Sequence, residues 1–242
     1  MDNNPIVIPT SEGERRLRAA VRVLMSRGVW SVIAAQLGLI LLWRRVLSDD
    51  ATAASIELFV LAIALAGFLY ITAGVSQALA ASRDLVGLRA GLRAGTTCYG
   101  PFLWMIAKLV LLGGMLLNIA ILATGGTGGA SAATEFSQKM PGFIPLVQGL
   151  LGFVFVYWLP IVFVRRDFAL FKTLGAALVT AWQRLPHAGY LAILTLTPAL
   201  IALIAGDTMP LFAVLLINLV GGAMEWVAYA YCVGHLQDQI PG

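Results

Sequence analysis

Several runs of this chain exceed about 18 residues without a charged side chain, enough apolar helix to cross a bilayer. This feature constrains the fold most strongly, because backbone inside hydrocarbon must satisfy its own hydrogen bonds, and a helix does so within one segment. The pattern places spans at about residues 24–43, 55–81, 100–124, 143–164, 189–205 and 211–234. The expected fold is all-α and polytopic, with six transmembrane helices. Charged residues make up 12% of the chain, against about a quarter in soluble domains, so residues 11–242 read as one membrane domain. Residues 1–10, polar and with two prolines, read as a flexible tail. The run from Gly28 meets Arg44 and Arg45 without a small-x-small cleavage site, so it is expected to remain as the first span.

Between the runs lie three basic segments expected to form cytoplasmic amphipathic surface helices, at about residues 11–23, 83–95 and 167–185. The first sets Arg15, Arg18 and Arg22 opposite Leu17, Val21 and Leu24. In the second, Arg89 and Arg93 are four apart. Gly87, Gly91 and Gly95 make a row that either admits another helix closely or weakens a surface helix. The third follows Arg165 and Arg166 and sets Phe168, Phe171, Leu174, Leu178, Trp182 and Leu185 against Lys172, Thr173, Thr180, Gln183 and Arg184.

Twelve of the 16 Lys and Arg residues fall on the N-terminal segment and the loops after spans two and four. Three fall on the other loops, which places both termini in the cytoplasm. A repeated unit of helix, surface helix, helix is expected, with Arg83-Asp84 matching Arg166-Asp167 and Pro101 matching Pro186. The plainer account is that cytoplasmic loops collect arginine.

Lys108 and Glu225 stand out because ionisable groups inside spans are costly. Counted from span ends near Gly100 and Gly234, they lie ~12 Å and ~14 Å from the cytoplasmic face, so an intramembrane ion pair is expected. It would serve as a structural clamp or as part of a solute path; the alternative is a Lys108 that snorkels unpaired. Asn118, Gln148 and Asn218 read as interhelical hydrogen-bonding groups, and Gly113, Gly114, Gly149, Gly152, Gly221 and Gly222 as close helix contacts. Cys98 and Cys232 read as small buried hydrophobes.

No zinc helix, nucleophile elbow or Cys-x-x-Cys occurs, and the glycines after residue 124 lack the Gly-Lys-Ser/Thr of a phosphate loop. His187, His235 and Asp238 are a weak metal set. The expectation is therefore no enzyme, no cofactor and no metal. The arginines sit at span borders instead of forming one basic stripe, which argues against nucleic acid.

The stretch YWLPIVFVRRDFALFKTLGAALVTAWQRLPHAGYLAIL, with the similar ITAGVSQALAASRDLVGLRAGLRA, resembles bacterial six-helix membrane families. These families are related to the membrane domain preceding some glycerophosphodiester phosphodiesterases. The resemblance rests on pattern, covers most of the chain, implies a bacterial inner-membrane location and carries no catalytic residue across. The function expected is that of a lipid-contacting protein or an accessory subunit of a membrane assembly. Its partners would be membrane lipids, anionic ones among them, or protein subunits. A small-solute transporter or channel using Lys108 and Glu225 is the alternative.

Overall fold

A computed structural model describes residues 12–48, 54–82, 85–123, 156–205 and 210–238, and all the secondary structure among them is helical. In chain order the helices are α1 (Glu12–Val21), a 3-10 turn (Arg22–Met25), α2 (Arg27–Ser48), α3 (Ala54–Ala81) and α4 (Leu88–Ala123). After them come α5 (Val156–Arg165), α6 (Leu170–Gln183), α7 (Leu185–Ala205) and α8 (Leu211–Gln237). Three helices are long and apolar enough to cross a membrane, at Glu57–Ala81, Leu88–Leu116 and Leu211–Gln237. A fourth span arises if Arg16–Met25 and Arg27–Trp43, which meet at 66°, are taken as one. The expected tail, most of the expected span at 143–164, Gln148, Gly149 and Gly152 lie outside the described residues.

The bend before α2 has local causes. Ser26 is extended (φ −79°, ψ 119°), which ends the 3-10 turn. Its hydroxyl and the Gly28 N–H both donate to the Val86 carbonyl in the link between α3 and α4. Trp30 donates its indole N–H to the Leu24 carbonyl at 2.6 Å, pairing an oxygen that the bend leaves outside a helix.

α3 and α4 form the most extensive helix pairing, and glycine makes it possible. A Cβ added to Gly74 would stand 2.0 Å from the Gly91 carbonyl oxygen. One added to Gly95 would stand 2.9 Å from the Tyr70 ring. Tyr70 donates its hydroxyl to the Leu92 carbonyl at 2.8 Å, and Tyr99 donates to the Ala66 carbonyl at 3.3 Å. The second basic segment is therefore no separate surface helix. Its turns from Leu88 onward are the start of α4, drawn along α3 by Gly91 and Gly95, and Pro101 lies inside that helix without ending it. At Gly87 the expected row finds nothing within 4 Å.

At the third segment, α6 is a helix apart from α7, broken at Arg184 (φ −125°, ψ 39°). Arg166, with φ 50°, makes the turn out of α5. Asp167 then accepts the Ala169 N–H at 3.0 Å and pairs with Lys172 at 2.6 Å. These two contacts hold its carboxyl below the usual carboxylate range, Lys172 being the larger cause. The face of α6 packed on protein is the small one, Leu170, Thr173, Ala177 and Ala181. Thr173 accepts the Trp158 indole N–H at 2.9 Å. Phe171, Leu178 and Trp182 stay exposed.

The core gathers at one end of the bundle: Val29 and Ile33, Val75 and Leu79, Cys98 and Phe102, Trp158 and Ile161, Trp226 and Cys232. Cys98 and Cys232 are buried free thiols. At the other end, Phe59 and Ile63 of α3 and Leu111, Met115 and Leu122 of α4 are exposed. Apolar surface this continuous is unusual on a protein bathed in water.

Gly74→Ala forces α3 and α4 apart, so it is expected to destabilise the protein by about 1–3 kcal/mol or more, the scale of overpacking. Gly113→Ala, at a site with nothing within 4 Å, is expected to be neutral or stabilising. Thermal melting of the two variants in detergent checks the contrast.

Candidate functional site

The glycine contacts double as a ruler. Gly74 and Gly91 touch, and a Cβ on Gly28 would lie 3.3 Å from Val75, so the three residues share one level. Lys108, Glu57 and Arg45 each stand 17 positions along their helices from that level, ~25 Å at 1.5 Å per residue. Three independent helices thus bring a charge to the same height. Exposed Trp43 and Trp104 lie just beneath it, ~20 Å up.

Arg27, Arg89 and Arg93 fall within ~3 Å of the lower level, next to the exposed indole of Trp30. Glu225 belongs near this level too. It follows Gly222, which packs against Ile33 and Gln36, and precedes Tyr229 by one turn, whose hydroxyl donates to the Ser76 carbonyl at 2.8 Å. Those contacts bracket Glu225 within ~10 Å of the glycine level. Between the two charged levels α2, α3 and α4 carry no Asp, Glu, Lys or Arg, and α8 carries Glu225 alone, toward the lower level. On those three helices the charge-free slab is about 20–25 Å deep with aromatic borders, which approaches the ~30 Å hydrocarbon core of a bilayer.

The expected Lys108–Glu225 ion pair is accordingly not formed. Neither residue has an ion-pair partner among the described residues, Lys108 is exposed, and the ruler separates them in height by ~15 Å or more. The physical reason is the length of α4. Because that helix begins at Leu88 and not near Gly100, Lys108 rides a further three turns from the basic end. Its ammonium lies over the Trp104 ring, 5.1 Å from the centroid, one turn back along its own helix.

Asn118 and Asn218 also differ from expectation. Each donates its side-chain amide to a carbonyl of its own helix, Gly114 and Val214, at 2.8 Å. Gly221 and Gly222 are buried, Gly222 against Ile33 and Gln36 of α2, whereas Gly113 and Gly114 meet nothing within 4 Å.

At the basic end α1 docks on the end of α8. The Arg16 guanidinium donates to His235 Nδ1 at 2.8 Å and stands 3.5 Å from the Asp238 carboxylate. A guanidinium only donates, so Nδ1 accepts and the ring proton sits on Nε2. Gln237 donates to the Ala80 carbonyl at 2.7 Å, which ties α8 to the end of α3. Among the described residues no three His, Cys, Asp or Glu groups gather as a metal site, and His187 is exposed at the start of α7. Between α1, the 3-10 turn and the ends of α3 and α8 lies a cleft of about 620 Å³, lined by Arg16, Arg22, Met25, Ser82, Tyr231 and Asp238 among others. Nothing in the sequence pattern marks this cleft, since it is made by the 66° bend.

Of the other basic residues, Arg18, Arg22, Arg89, Arg93, Arg165 and Arg166 are exposed without an ion-pair partner among the described residues. Lys172 is held by Asp167, and Arg184 is half-buried at the break between α6 and α7. Arg15 falls within α1, and its side chain lies outside the described ones.

Comparison with family models, with characterised proteins and with solved structures finds no match.

With Cys98 and Cys232 replaced by alanine, a membrane-impermeant thiol reagent is expected to reach Arg89→Cys from one side of the membrane only. Lys108→Cys is expected to react only from the other side. Labelling of both from the same face contradicts the slab.

Proposed function

We propose that this chain is a non-enzymatic inner-membrane protein with six spans and both termini in the cytoplasm. It contacts anionic lipid through its basic end and serves as an accessory subunit of a membrane assembly. The likeness in pattern to the bacterial six-helix membrane families belongs to the same reading. One observation supports it above the rest: six arginines at the basic end are exposed and spend none of their charge on ion pairs within the described protein. A cationic side chain beside an anionic leaflet contributes about 1 kcal/mol, so such a set suits lipid headgroups without further chemistry. Exposed Trp30, Trp182 and Tyr190 give the same end the aromatic character of an interface.

A solute path through Lys108 and Glu225 loses its motive on this reading. The two charges belong toward opposite borders of the slab, too far apart in height to line one path together. Between them, Tyr70, Tyr99 and Asn218 each donate to a backbone carbonyl, the two tyrosines across the α3–α4 contact.

Purification of the full chain from native membranes in a mild detergent tests the reading. Retained anionic lipid, or a stoichiometric second protein, is the expected result. A monomer that carries neither, or recovery of the chain in the soluble fraction, contradicts it.

A further inference from the structure

The cleft beneath the bend differs from the rest of the basic end in being concave, and its depth in the bilayer can be assigned. Leu79 and Ser82 in its wall lie five and eight positions past Gly74, ~7–12 Å below the glycine level. Headgroups add about 5–8 Å to each side of the hydrocarbon core, so the cleft runs from that layer at Leu79 to just outside it at Ser82.

Its chemistry is two-sided. Met25 is 75% exposed at the cleft and Leu85 56%, an apolar pair that water solvates poorly. Arg16 and Arg22 supply positive charge and Asp238 negative, and Asp238 is already engaged by Arg16. The charge left over is the exposed guanidinium of Arg22, with Arg18 one turn away on the same surface. Tyr231 also lines the cleft. A volume of about 620 Å³ is the size of a small-molecule site, large enough for a phosphate headgroup, its glycerol and the first carbons of its chains.

We propose that the cleft between α1, the 3-10 turn and the ends of α3 and α8 binds one anionic phospholipid of the cytoplasmic leaflet. Its phosphate lies at Arg22, and the first carbons of its acyl chains lie against Met25 and Leu85. The assignment rests on the membrane reading above. It adds that reading's missing particular, a defined site in place of diffuse attraction. Arg22 fits the role because nothing inside the described protein claims it, whereas Arg16 is committed to His235 and Asp238.

The test is lipid binding to the purified full chain by native mass spectrometry, comparing phosphatidylglycerol and phosphatidylcholine with identical acyl chains. One tightly retained phosphatidylglycerol per chain is expected, with much weaker phosphatidylcholine. Arg22→Ala is expected to weaken phosphatidylglycerol binding ~5-fold or more, the worth of one cation at an anionic surface. Lys172→Ala, which removes a cation outside the cleft that Asp167 already holds, is expected to leave it unchanged, and Met25→Gln to weaken both lipids. Unchanged melting temperatures show that the variants fold. Equal losses for Arg22→Ala and Lys172→Ala overturn the site in favour of diffuse charge. Displacement of the lipid by inorganic phosphate overturns it in favour of a soluble-anion site. Failure of the underlying reading shows separately, as a chain that needs no detergent for extraction.

Discussion

The backbone approach of Gly74 to Gly91 sets the register of the whole bundle. With no Cβ on either residue, α3 and α4 close to a distance at which a single methyl group would collide with a carbonyl. From that contact the antiparallel pair runs in step through Tyr70 with Gly95 and Tyr99 with Ala66. Every other height follows. Gly28 brings α2 to the same level through Val75, and Tyr229 brings α8 through Ser76. Van der Waals contact between small residues suits such a bundle, because apolar side chains gain little from each other when lipid is as apolar as they are.

The two ends do different work. At the basic end the packed core, the docking of α1 through Arg16 and the ties from α8 to α3 make a compact body. Toward the far end, between the two charged levels, α3 and α4 present apolar side chains outward, Phe59, Ile63, Leu65 and Leu103 among them. In water that surface would be a liability; in hydrocarbon it costs nothing, which accords with the proposed residence of the chain. The bend before α2 sets the helices of the basic end at an angle to the spans, and the same bend opens the cleft.

Much of this was legible in the sequence and some was not, for identifiable reasons. The all-helical class follows from charge-free runs, and structure adds three helices long and apolar enough to cross a membrane. The helical character of residues 12–21 and 170–183 was readable from periodicity, because it is local. The row of Gly87, Gly91 and Gly95 admitted two readings, and only the contact with Gly74 decides between them, since that glycine lies on another helix. Lys108 and Glu225 looked like partners because depth was counted from assumed helix ends. Moving the start of α4 to Leu88 changes the height of Lys108 by about 18 Å at 1.5 Å per residue. Asn118 and Asn218 looked like interhelical groups because sequence shows that an amide needs a partner but not which carbonyl supplies it. The cleft has no sequence signal, being formed by segments about 60 to more than 200 residues apart.

The central claim is the register that sends the two charges to opposite borders. Pulsed dipolar electron resonance between nitroxides at Lys108→Cys and Glu225→Cys, in reconstituted protein lacking Cys98 and Cys232, measures it directly. The account predicts a distance of at least about 15 Å, most of it along the ~1.5 Å-per-residue rise of α4. A distance under about 10 Å, close enough for the charges to meet, contradicts it.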